Sequence, residues 1–398
     1  MSAETYVANG LRHIKPYYTT RSNYVKGRWI GRSLIDVLTT EFKSFSREHY
    51  LKQITQGRYL LKRNDVLLDA LNSPIRSGDV VTMKQHKHEP PVKQWCNVEL
   101  ENCDTATRIA GFNVVHNDSR LLVIDKPVGI PVHPTGQFYR NTITEILKEH
   151  EHFVSPCYRL DKVTSGLLIL AKNTMVAREI QMKIGARDMN KIYLARVRGK
   201  FPHVTTTKFP TSNQLDSLFQ HNSITTIENS PIYSIEPKKG FPAGLSDSKE
   251  ATTLFYPIRY FPETNESILA CKPLTGRTHQ IRIHLARLEF PIVNDSIYSS
   301  EYTMYPNRLQ FIKDYRHWEL SPVTKDQLRE QFQQIIYEAK SVSDLKVNED
   351  NRTCEECGVA LMADPQMLQL ELYLHAWQYC DNDKTFNFQT ELPTWAEN

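Results

Sequence analysis

No stretch of the sequence approaches the roughly 18 consecutive apolar residues of a membrane-spanning helix. The beginning, MSAETYVANGLRH, lacks the apolar core of a secretory signal peptide. Seven cysteines, an odd number, are scattered along the chain, as is typical of a reducing compartment, so we expect no disulfides. These absences predict a protein that is neither embedded in a membrane nor secreted.

The composition shows no strong bias. Hydrophobic residues make up 40% and charged residues 24%, which excludes a wholly disordered, collagen-like or coiled-coil chain. A length of 398 residues exceeds the roughly 100 to 200 residues of an ordinary domain. We therefore expect two domains with appendages.

Acidic residues are scarce at the beginning of the chain, where Glu4 is the one acid in residues 1–35. The cations of this segment are Arg12, Lys15, Arg21, Lys26, Arg28 and Arg32, and its interleaved aromatic residues are Tyr17, Tyr18, Tyr24 and Trp29. Cations attract phosphates and aromatic rings stack on bases, so the pattern is typical of nucleic-acid binding. A solvated basic surface fits the charge equally well, whereas Pro16 argues against a mitochondrial presequence.

The first 92 residues show the pattern of a small α+β domain. Helix-like apolar runs surround Leu34 and Tyr50, Gly57 ends the second run, and strand-like segments follow at 58–63 and 79–85. This arrangement resembles a small RNA-binding domain that also occurs in a ribosomal small-subunit protein. We therefore assign 1–92 to a basic arm and an RNA-binding domain.

Residues 113–380 form the predicted second domain, after a linker at 93–112 that Pro90-Pro91 introduces. Its predicted elements are strands at 121–125, 165–173 and 191–199, a helix at 174–188 and a hairpin over 267–286. In the second strand of the hairpin, the apolar residues Ile281, Ile283 and Leu285 alternate with the polar residues Gln280, Arg282 and His284. Insertions are predicted near 203–248 and 305–360, the latter largely helical. The acidic tail 381–398 is expected to be disordered.

The most informative segment is 158–169, in which Asp161 lies between two cations in a short loop before a buried strand. By itself this pattern also fits a structural turn in which Asp161 caps Thr164 or pairs with Arg159. Other motifs decide between the two interpretations.

These motifs occur in a fixed order. They are Asp-Lys-Pro at 125–127, Arg-Leu-Asp-x-x-Thr-Ser-Gly-Leu-Leu at 159–168, Lys-x-Tyr-x-Ala at 191–195, Gly-Arg-Thr-His-Gln-Ile-Arg-x-His at 276–284 and Leu-His-Ala at 374–376. Together they resemble the RluA family of pseudouridine synthases, with the eukaryotic tRNA enzymes as the nearest subgroup. The resemblance implies that the last motif, Leu-His-Ala, belongs to a helix late in the chain. Tyr158 departs from the family, which has histidine there, but the change removes no acid or base.

The resemblance implies that Asp161 is the catalytic carboxylate, which attacks or stabilises the sugar carbon C1′ of uridine. Tyr193 is the implied proton-transfer residue, and Arg277 the cation that pairs with the catalytic acid. The reaction is an isomerisation without net redox change, so no cofactor is expected. The residues expected to contact RNA are Arg159, which would fill the space of the flipped uridine, together with Lys126, Arg282, Lys26, Arg28 and Arg32.

The resemblance also implies the fold, an α+β pseudouridine synthase domain with a mixed, mainly antiparallel central sheet. The implied function is isomerisation of a specific uridine to pseudouridine, in the anticodon arm of tRNA at position 31 or 32. Ribosomal or messenger RNA as substrate, or a non-catalytic RNA-binding or chaperone role, are the alternatives. We expect a monomer with tRNA as its partner, no obligatory protein partner and no membrane association. The expected location is the cytoplasm, with mitochondria or the nucleus as further candidates.

Cys354 and Cys357 form a C-x-x-C pair that is half of a zinc knuckle, with His375 and Cys380 as candidates to complete it. Two unliganded thiols are the preferred interpretation, so no metal site is predicted. A zinc-dependent nucleoside deaminase would need His-x-Glu and Pro-Cys-x-x-Cys. The first motif is absent and Thr353 replaces the proline, so this enzyme class is set aside.

Overall fold

The structure is a computed structural model that describes residues 4–42, 46–96, 107–204, 219, 224–237, 248–315, 324–345, 352–382 and 386–397. The chain forms two compact units. The N-terminal unit comprises Met1–Tyr6, Ile14–Glu89 and Glu355–Cys357, and the second unit comprises Val7–His13, Pro90–Cys354 and Gly358–Asn398. No helix within the described ranges is long and apolar enough to cross a membrane.

The N-terminal unit contains a four-stranded antiparallel sheet. The strand order is Tyr17–Tyr24, Val80–Lys87, Tyr59–Arg63 and Val66–Leu68, and the α-helices are Leu34–Val37 and Arg47–Thr55. The side chains of Ser33 and Ser46 cap the two helices by accepting bonds from backbone N–H groups of the first turn. Leu34, Tyr50 and Leu61 are buried in its core. The two predicted helices are confirmed, while the strand Tyr17–Tyr24 lies in the basic segment where no strand was predicted.

Within the described residues, the second unit is built around an eleven-stranded mixed sheet that is mainly antiparallel, which confirms the predicted fold class. Its main strand order is Thr226–Glu228, Thr253–Phe261, Glu266–Pro273, Met189–Arg198, Leu374–Asp381, Ser165–Ala171, Leu121–Lys126, Phe112–Asn117 and Arg108–Ile109. Two short strands, Ser155–Pro156 and Asn387–Gln389, pair with Ser165–Ala171 and Leu374–Asp381, respectively. A separate three-stranded sheet consists of Thr5–Ala8, Leu11–Ile14 and Val92–Lys93.

The α-helices described in this unit are Ile143–Leu147, Thr174–Gly185, Gln280–Arg287, Pro306–Asp314, Lys325–Leu345 and Thr394–Glu397. Asn173 caps the helix Thr174–Gly185 by accepting a bond from the backbone N–H of Val176, and Val176 and Ile180 are buried on its inner face. The predicted helix at 174–188 is therefore confirmed. Much of the predicted insertion at 203–248 lies outside the described residues.

Three sequence predictions are wrong in this unit. Gln280–Arg287 is a helix and not a strand. All eight of its residues are buried, so the sequence shows no exposed polar face from which a helical period could be recognised. Leu374–Asp381, taken as part of a helix motif, is a central strand buried along its whole length. The tail expected to be disordered contains the strand Asn387–Gln389 and the helix Thr394–Glu397.

Gly166 allows two central strands to approach closely. Its φ angle is +106°, and a Cβ atom at this position would lie 2.2 Å from the carbonyl oxygen of Ala376. Because the strand Ser165–Ala171 pairs in parallel with Leu374–Asp381 through Gly166 and Ala376, any side chain here would push the strands apart. The glycine of the Thr-Ser-Gly motif is thus required for the pairing of the strand that follows the Asp161 loop.

Candidate active site

Asp161 lies at the start of a tight turn that leads into the strand Ser165–Ala171. The turn is closed by a bond from the backbone N–H of Thr164 to the carbonyl of Asp161, 3.1 Å long. The ammonium group of Lys126 donates to the carbonyl oxygens of Lys162 and Thr164 at 3.1 and 2.7 Å. Lys126 is 0% exposed, so the structure places it in the interior and not at the surface, where an RNA contact was predicted. Its side chain fixes the turn from beneath and thereby positions Asp161.

The cation that faces Asp161 is Arg282, whose Nη1 lies 3.3 Å from Oδ2 of Asp161. The same guanidinium donates two bonds of 2.8 Å to the carboxylate of Asp295. Burial disfavours the charged form of Arg282, yet attraction to Asp295 and the bonds to it raise the pKa above its usual value. Arg282, predicted as an RNA contact, is 3% exposed and is paired with both Asp161 and Asp295 in the structure.

Arg277 was predicted to pair with the catalytic acid, and the structure contradicts this pairing. Its Nε donates to the carbonyl oxygen of Glu250 at 2.9 Å, and its backbone N–H donates to Gln280. The physical reason is the helix Gln280–Arg287, which places Arg282 in the first turn, facing the acid, while Arg277 precedes the helix. Arg277 still lines the cavity around Asp161.

His279 is a further residue of the site, for which no catalytic role was predicted. Its Nε2 lies 3.5 Å from Asp161 Oδ2, and its Nδ1 lies 2.9 Å from the hydroxyl of Tyr298. The residue adopts a left-handed φ of 57°, which is unusual for a non-glycine residue. Burial, followed by the charge of Arg282, lowers the pKa of His279 to about 4, so the imidazole is neutral at pH 7.

Tyr193 lies on the strand Met189–Arg198, and its hydroxyl is 2.7 Å from that of Tyr379. Tyr158 stacks on Tyr379 with a centroid separation of 4.6 Å. Tyr158, which stands where the family resemblance implies histidine, thus contributes an aromatic ring to the lining of the cavity. Burial raises the pKa of Tyr193 to about 12, so it is a neutral phenol at pH 7 and accepts a proton only when it gives up its own.

These residues surround a cavity of about 650 Å³, a size typical of small-molecule sites. Asp161, Tyr193, Arg277 and His279 line it, and Arg159 stands at the same cavity as an exposed side chain. Within the described part of the chain, Arg159 makes no ion pair, which leaves its guanidinium available to a ligand. A carboxylate, a neutral imidazole and a phenol around one cavity can support attack on an electrophilic carbon and transfer of a proton.

Comparisons with known proteins decide which chemistry this is. A family model described as RNA pseudouridylate synthase matches residues 120–287. The chain is 53% identical over 398 residues to the tRNA pseudouridine(31) synthase of Saccharomyces cerevisiae, covering 99% of this chain and 97% of that protein. The chain belongs to the RNA pseudouridylate synthase family. The family predicted from the motifs is therefore confirmed, and the protein is an isomerase.

Two further relatives have weaker similarity to this synthase. The mitochondrial tRNA pseudouridine(32) synthase of Saccharomyces cerevisiae is 35% identical over 409 residues, which covers 99% of this chain and 78% of that protein. The solved structure of human RNA pseudouridylate synthase domain containing 1 aligns with a TM-score of 0.41 and 17% identity, covering 73% of this chain and 86% of that one.

The cations Lys26, Arg28 and Arg32 of the synthase lie in the N-terminal unit. Arg28 and Arg32 both pair with Glu41, at 2.7 and 3.3 Å, and Lys26 lies over the ring of Trp29 at 5.7 Å. Arg28 remains largely exposed at 62% of its side chain despite this pairing. A phosphate can therefore reach Arg28 without displacing a buried group.

Tyr193→Phe is expected to lower the turnover of the synthase by about 10² to 10⁴, the usual contribution of general acid–base catalysis. The phenyl ring preserves the packing against Tyr379 but cannot exchange a proton. Single-turnover formation of pseudouridine is the measurement, with Tyr379→Phe as the matched control because it removes the same inter-hydroxyl bond. Equal losses in the two variants would assign the effect to that bond rather than to proton transfer.

Proposed function

We propose that this synthase converts one uridine in the anticodon arm of tRNA, at position 31 or 32, to pseudouridine. The observation that carries the proposal is the 53% identity, over 99% of the chain, to a protein named tRNA pseudouridine(31) synthase. Similarity to a protein named for position 32 is lower, at 35%. Position 31 is therefore the first candidate.

The alternative substrates have less support. A relative named ribosomal large subunit pseudouridine synthase D, from Borreliella burgdorferi, is 32% identical over 196 residues, 46% of this chain. That match leaves more than half of the chain uncovered, whereas the tRNA relatives cover it almost completely. A non-catalytic RNA chaperone would have no need for the buried network that holds Asp161 next to Arg282.

The proposed mechanism places the charge of Asp161 at the sugar carbon C1′ of the flipped uridine. The bond from N1 to C1′ breaks, the base turns, and C5 joins C1′. The C5 proton is then transferred and N1 is protonated, with Tyr193 giving up its hydroxyl proton as it accepts the other. Arg282 lies 3.3 Å from the carboxylate of Asp161 and holds it in place, and Arg277 contacts the substrate from the lining of the cavity. Arg159, exposed at the cavity, is proposed to occupy the space that the base vacates in the RNA.

We also propose the roles of the two domains, the assembly state and the location of the enzyme. Residues 1–92 bind RNA, 113–380 hold the catalytic centre, and the enzyme acts as a monomer without an obligatory protein partner. Its site of action is the cytoplasm, with mitochondria or the nucleus as further locations. One relative carries the word mitochondrial in its name, which supports including that organelle.

The test of the substrate uses unmodified tRNA transcripts and the purified full chain. Pseudouridine is mapped at single-nucleotide resolution in tRNAs that carry uridine at 31, at 32 or at both positions, and in transcripts with cytidine at either place. We expect formation at one of these positions and its loss when that uridine becomes cytidine. Efficient modification of ribosomal RNA fragments, with tRNA unmodified, would contradict the proposal.

The combined replacement of Lys26, Arg28 and Arg32 by glutamine is expected to weaken tRNA binding and to flatten its salt dependence. Each lost phosphate contact reduces the slope of log affinity against log salt by about 0.7 to 0.9. Filter binding at several salt concentrations measures this slope. Arg329→Gln, an exposed cation on the helix Lys325–Leu345, is the matched control. An unchanged slope in the triple variant would show that the basic segment is only a solvated surface.

A further inference from the structure

Four sulfur and nitrogen ligands converge at a place that the synthase reaction does not use. The ligand atoms of His86, His88, Cys354 and Cys357 all lie within 4.8 Å of one another. The Sγ of Cys357 is 3.3 Å from Nε2 of His88. None of these four residues lines the cavity that contains Asp161. The cluster therefore needs an explanation apart from catalysis.

The histidines share one face of the N-terminal unit's sheet. His86 lies in the strand Val80–Lys87 and His88 follows it, so the spacing of two residues in extended backbone directs both imidazoles to the same side. Their rings have centroids 4.8 Å apart. The sequence signal that was missed is a His-x-His pair at the end of a strand. It was not connected with the C-x-x-C pair because the two cysteines follow more than 260 residues later.

The cysteines occupy the two ends of one tight turn. The backbone N–H of Gly358 donates to the carbonyl of Cys354 at 2.8 Å, and the N–H of Cys354 donates to the carbonyl of Val359 at 2.9 Å. Gly358 has a left-handed φ of +71°, which glycine adopts without strain. This turn presents both thiols in one direction, and Cys357 and both histidines belong to the N-terminal unit.

We propose that His86, His88, Cys354 and Cys357 bind a structural Zn²⁺ ion. Two thiolates and two imidazoles are a donor set that Zn²⁺ takes in structural sites, and four protein ligands leave no open position for a reacting water. Zinc bonds of about 2.0 to 2.3 Å place tetrahedral ligand atoms about 3.3 to 3.8 Å apart. A contraction of about 1 Å from the observed span completes the site.

This assignment replaces the expectation of two unliganded thiols and the earlier candidates for completing ligands. His375 Nδ1 lies 2.8 Å from Ser165 Oγ, and its Nε2 lies 2.6 Å from Thr390 Oγ1. Cys380 is buried in the central strand Leu374–Asp381. Both residues thus belong to the interior of the catalytic sheet.

The ion would fix the segment Glu355–Cys357 in the N-terminal unit. Glu356 already accepts a bond of 2.6 Å from Tyr18 and lies 3.2 Å from His86 Nε2. Ligation by Cys354, just before this segment, and by Cys357, at its end, would hold the segment at both ends. Zinc would thereby stabilise the sheet that contains Tyr18. The predicted effect is on stability, while the isomerisation itself needs no metal.

The test measures zinc in the full chain, purified without a polyhistidine tag from cells supplied with zinc. Mass spectrometry of the metal is expected to find about one equivalent per chain, falling below about a tenth in Cys357→Ser and His86→Ala. Cys96→Ser is the matched control, because Cys96 is also half-buried but lies outside the cluster, and it should retain the full equivalent.

Cobalt provides a second measurement that does not depend on how the variants fold. Addition of Co²⁺ to the metal-free wild-type chain is expected to give the intense visible bands of tetrahedral coordination and a thiolate charge-transfer band. Excess Zn²⁺ should abolish both. A wild-type chain that binds neither ion, zinc content unchanged in the two variants, or a disulfide between Cys354 and Cys357 in freshly reduced protein would overturn the proposal.

Discussion

Replacing Asp161 with asparagine is expected to reduce pseudouridine formation at least about a thousandfold, equivalent to about 4 kcal/mol of activation free energy. The amide has nearly the shape of the carboxylate but lacks the charge that the proposed attack on C1′ requires. The fold should persist, since Arg282 keeps both bonds to Asp295 and the Asp161 side chain is already one-third exposed.

The measurement is single-turnover pseudouridine formation with tRNA at saturating concentration, accompanied by tRNA affinity and the thermal unfolding temperature. Asp326→Asn is the control, because Asp326 is an exposed carboxylate on a helix remote in sequence from the site motifs. Turnover by Asp161→Asn comparable to that of the wild type would refute the catalytic role of this carboxylate.

Arg282→Met is expected to lower the free energy of unfolding by about 3 to 5 kcal/mol, the usual cost of removing one partner from a buried ion pair. Asp295 is fully buried, and without Arg282 the donors that its carboxylate retains among the described residues are the backbone N–H groups of Ile297 and Tyr298. Isomerisation should fall as well, because Asp161 loses the cation that faces it. Urea denaturation measures the stability.

Two further variants separate stability from activity. Arg277→Gln should change the unfolding free energy by less than about 1 kcal/mol, since Arg277 is only half-buried and bonds to a backbone carbonyl. Combining Arg282→Met with Asp295→Leu replaces the pair by apolar groups and should restore most of the stability but not the activity. A strongly destabilised Arg277→Gln beside a stable Arg282→Met would reverse the assignment of the two arginines.

The sequence predicted those parts of the site that local order determines. Periodicity located the apolar strand Ser165–Ala171 after Asp161 and the alternating strand Met189–Arg198 around Tyr193, whereas the roles of both residues came from the resemblance of their motifs to those of a family. Both depend on periodicity and on motifs that are contiguous in the chain. The confirmed family and sheet class rest on the same local signals.

The pairings that depend on three-dimensional proximity could not be predicted in this way. Arg282 was placed on a strand because alternation of apolar residues imitates a sheet pattern when a short helix is buried on all sides. Its partner, Asp295, lies 13 residues further along the chain, and no local pattern relates the two. His86 and Cys357 likewise show no relation in the sequence, since their proximity arises from a fold that brings residues far apart along the chain together.

The position of the strand Leu374–Asp381 determines when the enzyme can become active during its synthesis. This strand lies between Met189–Arg198, which carries Tyr193, and Ser165–Ala171, which follows the Asp161 turn. Ser165 and His375 are in contact although 210 residues separate them. The two halves of the catalytic centre therefore cannot join until almost the entire chain has left the ribosome, and a nascent chain that ends before this strand holds Asp161 and Tyr193 without aligning them.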